Sequence, residues 1–271
     1  MTKTILITGA STGIGRSTAE LFLDKGWNVV ATMRNPDKAG ALADNPNVLV
    51  ARLDVTDEWT IEASVAQAIE KFGQIDVLLN NAGYGAYGPL EATSIEKIRR
   101  QFDTNVIGLL AVTKAVLPHF RERRSGTIIN VSSIGGQITF PLGTLYHGTK
   151  FAVEGLSESL HFELEPFGVK IKIIEPGVIQ TDFAGRSFDF SNDETLGEYQ
   201  ETVQKLFAAL GEAGNNGSEP SVVADVIWQA ATDGTDTLRY RAGADAEEYL
   251  DNREKFGDAA FIRALKGQLG L

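Results

Sequence analysis

The sequence predicts a single α/β domain over residues 1–271, built on a doubly wound, mostly parallel β-sheet. Short, almost continuous apolar runs recur along the chain, which is typical of strands buried on both faces of a parallel sheet. Segments with helical spacing separate these runs, and this alternation implies right-handed crossovers. With 271 residues and 43% apolar content, the chain has enough material for one large core.

The predicted strands follow one another through the first two thirds of the chain. They cover residues 5–7, 29–31, 48–53, 75–79, 127–131 and 169–174. We expect a long helix to start at Thr93, because Glu96 completes a Thr-x-x-Glu capping box. A second apolar stripe marks a helix that ends at Pro166, and it consists of Leu145, Ala152, Leu156, Leu160 and Leu164.

The pattern is looser beyond residue 177. We expect a substrate loop over about residues 178–218, since loops of this length in compact domains are usually functional or mobile. A helix over about 221–231, a short strand near 238–241 and a helical tail over about 244–271 complete the prediction.

Composition excludes several classes of function. A net charge of −11 argues against broad binding of nucleic acid or of anionic membranes. The absence of cysteine excludes disulfides and thiolate chemistry, and the three scattered histidines predict no metal site. The first apolar run is too short for a signal peptide, and no run approaches the roughly 18 residues of a membrane span. We therefore expect a cytoplasmic protein.

A glycine-rich turn separates the first strand from the first helix. Glycines in such a turn allow a tight bend, close approach of backbone to a pyrophosphate, and close packing of helix on strand. The alternative is a plain turn, but the strand–turn–helix context favours a nucleotide. The residues we assign to cofactor binding here are Gly9, Ser11, Thr12, Gly13, Ile14 and Gly15.

The ends of the second and third strands bear on the identity of the cofactor. An acidic residue about 20 positions after the glycine turn takes the ribose 2′-hydroxyl of NAD, whereas arginine accommodates the 2′-phosphate of NADP. Arg34 occupies that place, and Asp37 fits the start of the next helix better. We predict NADP(H) over NAD(H), although Arg34 as an ordinary surface charge is the alternative. Asp54 and Val55 follow the third strand, where we expect them to contact the adenine; the alternative is that Asp54 caps a helix.

Two further turns fall where backbone can pass beside a cofactor. The fourth strand ends in Asn81, Ala82 and Gly83, all of which we assign to cofactor binding. The sixth strand leads into Pro176, Gly177, Ile179 and Thr181, which we place at the nicotinamide end. Each turn alone is a weak signal.

Tyr146 and Lys150 are the strongest candidates for chemistry. Positions i and i+4 share one face of a helix, so an ammonium lies beside a phenol and is able to lower its pKa. Ser133 precedes the tyrosine by 13 residues and supplies a hydroxyl for a carbonyl or alcohol oxygen. Asn105 is the one amide on an otherwise apolar helical stripe. A buried amide needs partners, so it is either a satisfied core residue or one that positions water or a catalytic neighbour.

Together these residues resemble the short-chain dehydrogenase/reductase family, over residues 3 to about 182, and in particular its hydroxysteroid dehydrogenase, retinol dehydrogenase and carbonyl reductase branch. The resemblance implies a Rossmann fold with Tyr146 as acid in reduction and base in oxidation. It implies that Lys150 lowers the tyrosine's pKa and binds the nicotinamide ribose. It further implies that Ser133 orients the substrate oxygen and that Asn105 holds a water linking Lys150 to solvent.

We therefore predict an NADP(H)-dependent oxidoreductase that interconverts an apolar ketone or aldehyde and its alcohol. The alternatives are a nucleotide-sugar epimerase or dehydratase and a non-catalytic dinucleotide sensor. Relatives are commonly homodimers or homotetramers through helices that correspond to residues 95–118 and 145–165. The aromatic candidates for the substrate wall, some of which are expected in a satellite core instead, are Tyr84, Tyr87, Phe140, Phe183, Phe188, Phe190, Tyr199 and Phe207.

Overall fold

A computed structural model of the chain describes residues 2–181 and 187–271. The described residues form a seven-stranded sheet of order β3-β2-β1-β4-β6-β7-β9 and a two-stranded sheet of β5 and β8. The strands are β1 Thr4–Thr8, β2 Asn28–Met33, β3 Val48–Arg52, β4 Val77–Asn80, β5 Gly85–Tyr87, β6 Gly126–Val131, β7 Val169–Pro176, β8 Phe188–Phe190 and β9 Arg239–Ala242. All neighbouring strands in both sheets are parallel.

Helices cover both faces of the large sheet. Those of the described residues are α1 Gly13–Asp24, α2 Glu58–Phe72, α3 Ile95–Phe102, α4 Gly108–Arg123, α5 Thr144–Leu164, α6 Gly197–Asn216, α7 Pro220–Thr232 and α8 Ala244–Leu269. One core cluster lies on the α1 and α7 face, around Phe22 and Ile227, and another on the α2 and α4 face, around Val65 and Phe120. Within the described ranges, no helix has both the length and the apolar character that crossing a bilayer requires.

The predicted fold class is confirmed as a doubly wound, Rossmann-type sheet in one domain. The order of strands reverses between β1 and β4, since β2 and β3 lie on one side of this pair and β6, β7 and β9 on the other. Ligands of such sheets bind outside the carboxyl ends of the strands at this switch point. The fold thus brings the glycine turn after β1 beside the turn after β4.

The predicted start of the third helix is wrong by one residue, because Ser94 and not Thr93 is the cap. Ser94 Oγ accepts a hydrogen bond from Lys97 N at 3.3 Å. Thr93 Oγ1 instead donates to Pro89 O at 2.9 Å, which closes the preceding turn. The long helix is also interrupted: a π-helical turn, Asp103–Ile107, joins α3 to α4.

The expected loop over residues 178–218 is largely wrong, because it contains β8 and the 20-residue helix α6. Its glycines hide a helical spacing in which Val203 and Leu206 face the interior. The predicted stripe on α5 is half right. Its first and last members, Leu145 and Leu164, are buried, whereas Ala152, Leu156 and Leu160 are only partly covered. Polar residues fill the buried face between them, namely Thr149, Glu154 and Ser157.

Candidate active site

The glycine turn forms a cradle that side chains would fill. Gly9 and Gly13 have positive φ angles of 71° and 56°, a region that side chains rarely adopt. A Cβ on Gly15 would lie 2.4 Å from Gly9 O, closer than real contacts allow. The first turn of α1 carries no acidic residue, so its N-terminal N–H groups are suited to an anion. The turn therefore fits the pyrophosphate of a dinucleotide.

Thr8, a residue that the sequence did not single out, ties the two turns at the switch point together. Its Oγ1 accepts from Asn81 N at 2.9 Å and from Ala82 N at 3.0 Å. The Asn81 amide donates back to Thr8 O at 2.9 Å and to Gly9 O at 3.3 Å. The assigned turn residues Asn81 and Ala82 thus lie against the glycine cradle. The signal for Thr8 was its place between the first strand and the glycines of the turn.

The turn after β7 closes the other side of this cleft. A Cβ on Gly13 would lie 3.2 Å from Thr181 Cγ2, so the two predicted cofactor segments are in contact. Asp245, at the start of α8, holds the turn because its Oδ2 accepts from Val178 N at 2.6 Å. A Cβ on Gly177 would lie 2.2 Å from the same carboxylate. Asp245 was not predictable from the sequence, because its partner is 67 positions away.

Arg34 and Asp54 lie close together at the carboxyl ends of β2 and β3. Arg34 is exposed. Burial acts to raise the pKa of Asp54, but hydrogen bonds from Thr56 and the charges of Arg34 and Arg52 outweigh it and lower that pKa. The interpretation of Asp54 as a helix cap is wrong. Asp57 caps α2, while Asp54 orders the preceding turn by accepting from Thr56 N at 3.0 Å.

The candidate catalytic side chains meet where β6 ends and α5 begins. Tyr146 is buried, and its phenol is hydrogen-bonded with Ser133. The Ser133 oxygen also accepts from Gly135 N at 3.0 Å, which leaves its proton for the phenol. Lys150 Nζ lies 5.8 Å from the centroid of the Tyr146 ring and donates to Val131 O at 2.8 Å. The structure therefore brings the predicted trio together.

The pKa values of these groups differ from the expectation. Burial raises the pKa of Tyr146, and the hydrogen bond from Ser133 only partly offsets this. Burial also lowers the pKa of Lys150 to about 8, although the Glu154 carboxylate acts to raise it. The expected lowering of the tyrosine's pKa by Lys150 is therefore not produced by these side chains alone. At neutral pH the phenol therefore keeps its proton.

Asn105 has the specific partners that a buried amide needs. Its Oδ1 accepts from Tyr84 N at 3.1 Å, and its Nδ2 donates to Tyr84 O at 2.9 Å and to Thr149 Oγ1 at 3.1 Å. A Cβ on Gly83 would lie 3.1 Å from Asn105 Oδ1, so the third residue of the turn after β4 packs here. Asn105 thus fixes the Tyr84 backbone against α5, and its role in holding a water stays a prediction.

His147 holds the loop of Ser133 onto α5. Its Nε2 accepts from Phe140 N at 3.0 Å, so Nδ1 carries the proton and donates to Gly135 O at 3.0 Å. Burial lowers the pKa of His147, which favours this neutral form. Both bonds position the segment that contains Ser133. This role of His147 was not predictable from the sequence, because its partners are backbone groups of a loop.

A row of aromatic rings leads from Tyr146 to the surface. Tyr87 lies 5.5 Å from Tyr146 and 5.1 Å from Phe188, measured between ring centroids. Phe190 lies 6.0 Å from Phe188 and 4.8 Å from Phe207, which is 47% exposed. The parallel pairing of β5 with β8 sets this order.

The other predicted wall residues among those described are not part of this row. Phe140 packs against Tyr249 in a satellite core under α8. Tyr84 stacks under the Arg100 guanidinium, and Tyr199 donates to Glu91 on the surface. Phe183 lies outside the described residues.

Comparison with known proteins finds relatives that match most of the chain. The family model for short chain dehydrogenases matches residues 3–192. An uncharacterized oxidoreductase of Schizosaccharomyces pombe is 48% identical over 88% of this chain and 100% of its own. Retinol dehydrogenase 8 of Bos taurus is 37% identical over 88% of this chain and 81% of its own.

Solved structures agree with this match. A short-chain dehydrogenase from Streptomyces avermitilis superposes with a TM-score of 0.86 at 34% identity and covers 98% of this chain and 95% of its own. ElxO with NADP bound has a TM-score of 0.76 at 28% identity, with coverage of 92% and 100%. The 3-ketoacyl-(acyl-carrier-protein) reductase from Brucella melitensis, complexed with NADH, has a TM-score of 0.74 at 25% identity, with coverage of 89% and 97%.

Proposed function

Because the chain belongs to the short-chain dehydrogenase family of oxidoreductases, we propose that it moves a hydride between NADP(H) and an apolar ketone or aldehyde, or in reverse from the alcohol. One observation carries the proposal: Tyr146, Ser133 and Lys150 meet at the carboxyl end of β6, with Tyr146 in contact with the aromatic row. A protein that only senses a dinucleotide has no need of this arrangement.

We assign each part of the cofactor to a separate part of the cleft. The cradle of Gly9, Gly13 and Gly15 suits the pyrophosphate, and Arg34 supplies a cation for the 2′-phosphate of the adenosine. Ile179 and Thr181 flank the nicotinamide end. When bound, the cofactor supplies or accepts the hydride, which no side chain of the protein can do.

Tyr146 transfers the proton. In reduction, the phenol donates its proton to the substrate oxygen, and the Ser133 hydroxyl donates a hydrogen bond to the same atom. The raised pKa of Tyr146 keeps that proton available at neutral pH. In oxidation, Tyr146 acts as the phenolate, which the nearby Lys150 ammonium stabilises, and this phenolate takes the proton of the alcohol and becomes the phenol.

The aromatic row favours an apolar substrate. Tyr87, Phe188, Phe190 and Phe207 present a continuous strip of rings that begins at Tyr146. Pockets of this kind bind apolar groups by area, with few polar groups to fix orientation. We therefore propose ketones or aldehydes whose carbonyl lies at Tyr146 and whose apolar body lies along this strip.

A substrate screen tests the proposal. Purified protein is mixed with NADPH or NADH and a panel of ketones and aldehydes of increasing apolar size, and the loss of absorbance at 340 nm is followed. We expect consumption of NADPH, faster with larger apolar carbonyls. NADPH binding without turnover of any carbonyl would instead support a dinucleotide sensor.

We also propose that the chain forms a homodimer or homotetramer and works in the cytoplasm. Large apolar side chains are exposed in the two segments expected to form the interface, residues 95–118 and 145–165. Ile107 is 56% exposed, Phe151 45% and Phe162 70%. Covering them in water-excluding contacts is favourable. Light scattering on the purified protein measures its mass in solution, and the mass of a monomer would contradict the proposed oligomer.

A further inference from the structure

Helix α3 carries a polar face that the proposed acid–base chemistry does not use. Lys97 and Gln101 are four residues apart on this helix, so they share one face of it. Both side chains bond the small sheet of β5 and β8. The rings of Tyr87, Phe188 and Phe190 belong to these two strands. The support of the aromatic row therefore comes from α3.

Gln101 holds β5 in place. A sheet of two strands with three residues each has little stability by itself, so its position depends on the contacts of its edges. The Gln101 side chain is fully buried. Its Oε1 accepts from Ala86 N, and its Nε2 donates to Tyr84 O at 2.9 Å. The amide thus takes the place of a further strand, on the edge of β5 that β8 leaves open.

Lys97 holds β8 in the same way. Its Nζ donates to Asp189 Oδ1 at 2.8 Å and to Ser191 Oγ at 3.1 Å. Ser191 directly follows β8 and is buried. The side chains of Lys97 and Asp189 are 37% and 27% exposed, so the ion pair is partly withdrawn from water. A charge-assisted contact of this kind is stronger than a pair on the open surface.

The alternation of side chains along β8 links this ion pair to the aromatic row. Successive side chains of a strand point to opposite faces, so Asp189 faces α3, and Phe188 and Phe190 lie on the other face. The two rings are 6.0 Å apart with an angle of 11° between their planes. Phe188 in turn lies 5.1 Å from Tyr87. One ion pair behind β8 thus fixes the two rings in front of it.

The same face of α3 leads on to the catalytic helix. Asn105 follows Gln101 by four residues, and its amide bonds the Tyr84 backbone and Thr149 of α5. Lys97, Gln101 and Asn105 therefore tie β8, β5 and α5 to one common support. The position of the two rings relative to the catalytic helix depends on all three contacts, and Lys97 makes the outermost one.

We propose that Lys97 is a positioning residue for the substrate. By holding Asp189 it keeps Phe188 and Phe190 in line with Tyr87, and so it sets the affinity of the site for carbonyl compounds with a long apolar body. The proposal rests on the function proposed above, which places that apolar body along the aromatic row. Lys97 acts through Asp189 and not on the reacting carbonyl, so the binding step and not the chemical step depends on it.

Binding of a long-chain aliphatic ketone tests the proposal without turnover. The ketone is titrated into the protein by calorimetry in the presence of NADP⁺, which has no hydride to give. In Lys97→Met we expect the dissociation constant to rise about fivefold, the upper end for a partly exposed ion pair. The matched control is Lys170→Met, which should bind the ketone as the wild type does. Lys170 is also 37% exposed and pairs with Asp236 at 3.0 Å, but it lies at the amino end of β7.

Further variants separate this role from a general loss of folding. Lys97→Arg keeps the cation and should bind the ketone nearly as well as the wild type. Asp189→Asn removes the charge of the other partner and should weaken binding as Lys97→Met does. The double variant should be no weaker than Lys97→Met alone, because both changes break one contact. Additive losses, or a Lys97→Arg variant as weak as Lys97→Met, would overturn the proposal.

Hydrogen exchange measures the position of β8 itself. Ser191 N donates to Tyr87 O at 2.8 Å, so its amide loses protection whenever β8 leaves β5. By mass spectrometry, a peptide that covers residues 187–191 should exchange about fivefold faster in Lys97→Met than in the wild type. Unchanged exchange, or faster exchange with an unchanged dissociation constant for the ketone, would overturn the proposal.

Kinetics and binding together distinguish this inference from the proposed function. With a long-chain ketone that is turned over, KM should rise about fivefold in Lys97→Met while kcat stays the same. A loss confined to kcat would overturn the positioning role, as would a wild-type protein that binds no long-chain ketone. A protein that binds the ketone in a Lys97-dependent way but reduces no carbonyl would refute the proposed function and still support this inference.

Discussion

The proposed cofactor side of the cleft is held together by hydrogen bonds between polar side chains and the backbone, whereas the proposed substrate side consists of aromatic side chains. Thr8 and Asn81 join the two turns by hydrogen bonds of 2.9–3.3 Å, each between one of their side chains and a main-chain group. On the substrate side, Tyr87 and Phe188 meet as rings on two short paired strands. Backbone donors suit a phosphate that every dinucleotide carries. Ring contacts are changed by single substitutions, so substrate choice is the property that this architecture leaves adjustable.

Tyr146 lies between the two sides, and its removal has the largest expected effect. Tyr146→Phe keeps the ring and its contacts with Tyr87 but removes the proton donor. Turnover should fall by about 10²–10⁴-fold, the range for general acid–base catalysis, while NADPH binding followed by fluorescence stays close to that of the wild type. Tyr199→Phe removes an exposed phenol and serves as the control. Near-normal turnover in Tyr146→Phe would place the acid elsewhere.

Arg34 tests the cofactor side. Arg34→Ser removes the cation proposed for the 2′-phosphate, and we expect the ratio of kcat/KM for NADPH to that for NADH to fall about tenfold, as for loss of one charged hydrogen bond. The exposed Arg52, which also acts on Asp54, provides the matched control as Arg52→Ser. Equal changes in both variants would mean that general surface charge, and not Arg34, sets the preference.

Phe207 tests the substrate side, with a smaller effect because its ring is half exposed. Phe207→Ala should raise KM for a long apolar carbonyl about fivefold, which corresponds to about 1 kcal/mol of lost apolar contact. KM for a short aldehyde, which does not reach the outer end of the strip, should stay the same. Phe256→Ala removes a similarly exposed ring on α8 as the control. If KM rises equally for both substrates, the strip is a structural core.

His147 gives the smallest effect, on stability. Burial lowers the pKa of His147, so the folded protein binds a proton at this imidazole less readily than the unfolded chain does. Histidines of an unfolded chain have a pKa of about 6.5. Stability from His147 is therefore complete above about pH 6.5 and is lost as the pH falls toward the lower folded value. The melting temperature of His147→Gln should depend less on pH between 7.5 and 5 than that of the wild type or of the control His161→Gln. Parallel curves would contradict this.

Local signals explain what the sequence predicted. The glycine turn, the strand ends and the Tyr146–Lys150 spacing each span only a few residues, so the residue types that their backbone conformation requires are neighbours in the sequence. Contacts between distant residues were not predictable. Asp245 meets Val178 across 67 positions, and Arg239 meets Glu154 across 85. The pairing of β5 with β8 and the helix α6 were also missed, because glycines and acidic residues in residues 178–218 obscure a helical spacing that only packing reveals.

Transfer of deuterium tests the central claim most directly. The protein is incubated with a ketone that the screen identifies and with NADPH carrying two deuterium atoms at nicotinamide C4, and the alcohol is examined by mass spectrometry. The account predicts one deuterium per alcohol molecule, on the carbon that bore the carbonyl oxygen, at the rate at which NADPH is consumed. Alcohol without deuterium at that carbon, or NADPH consumption without alcohol, would contradict hydride transfer at the Tyr146 site.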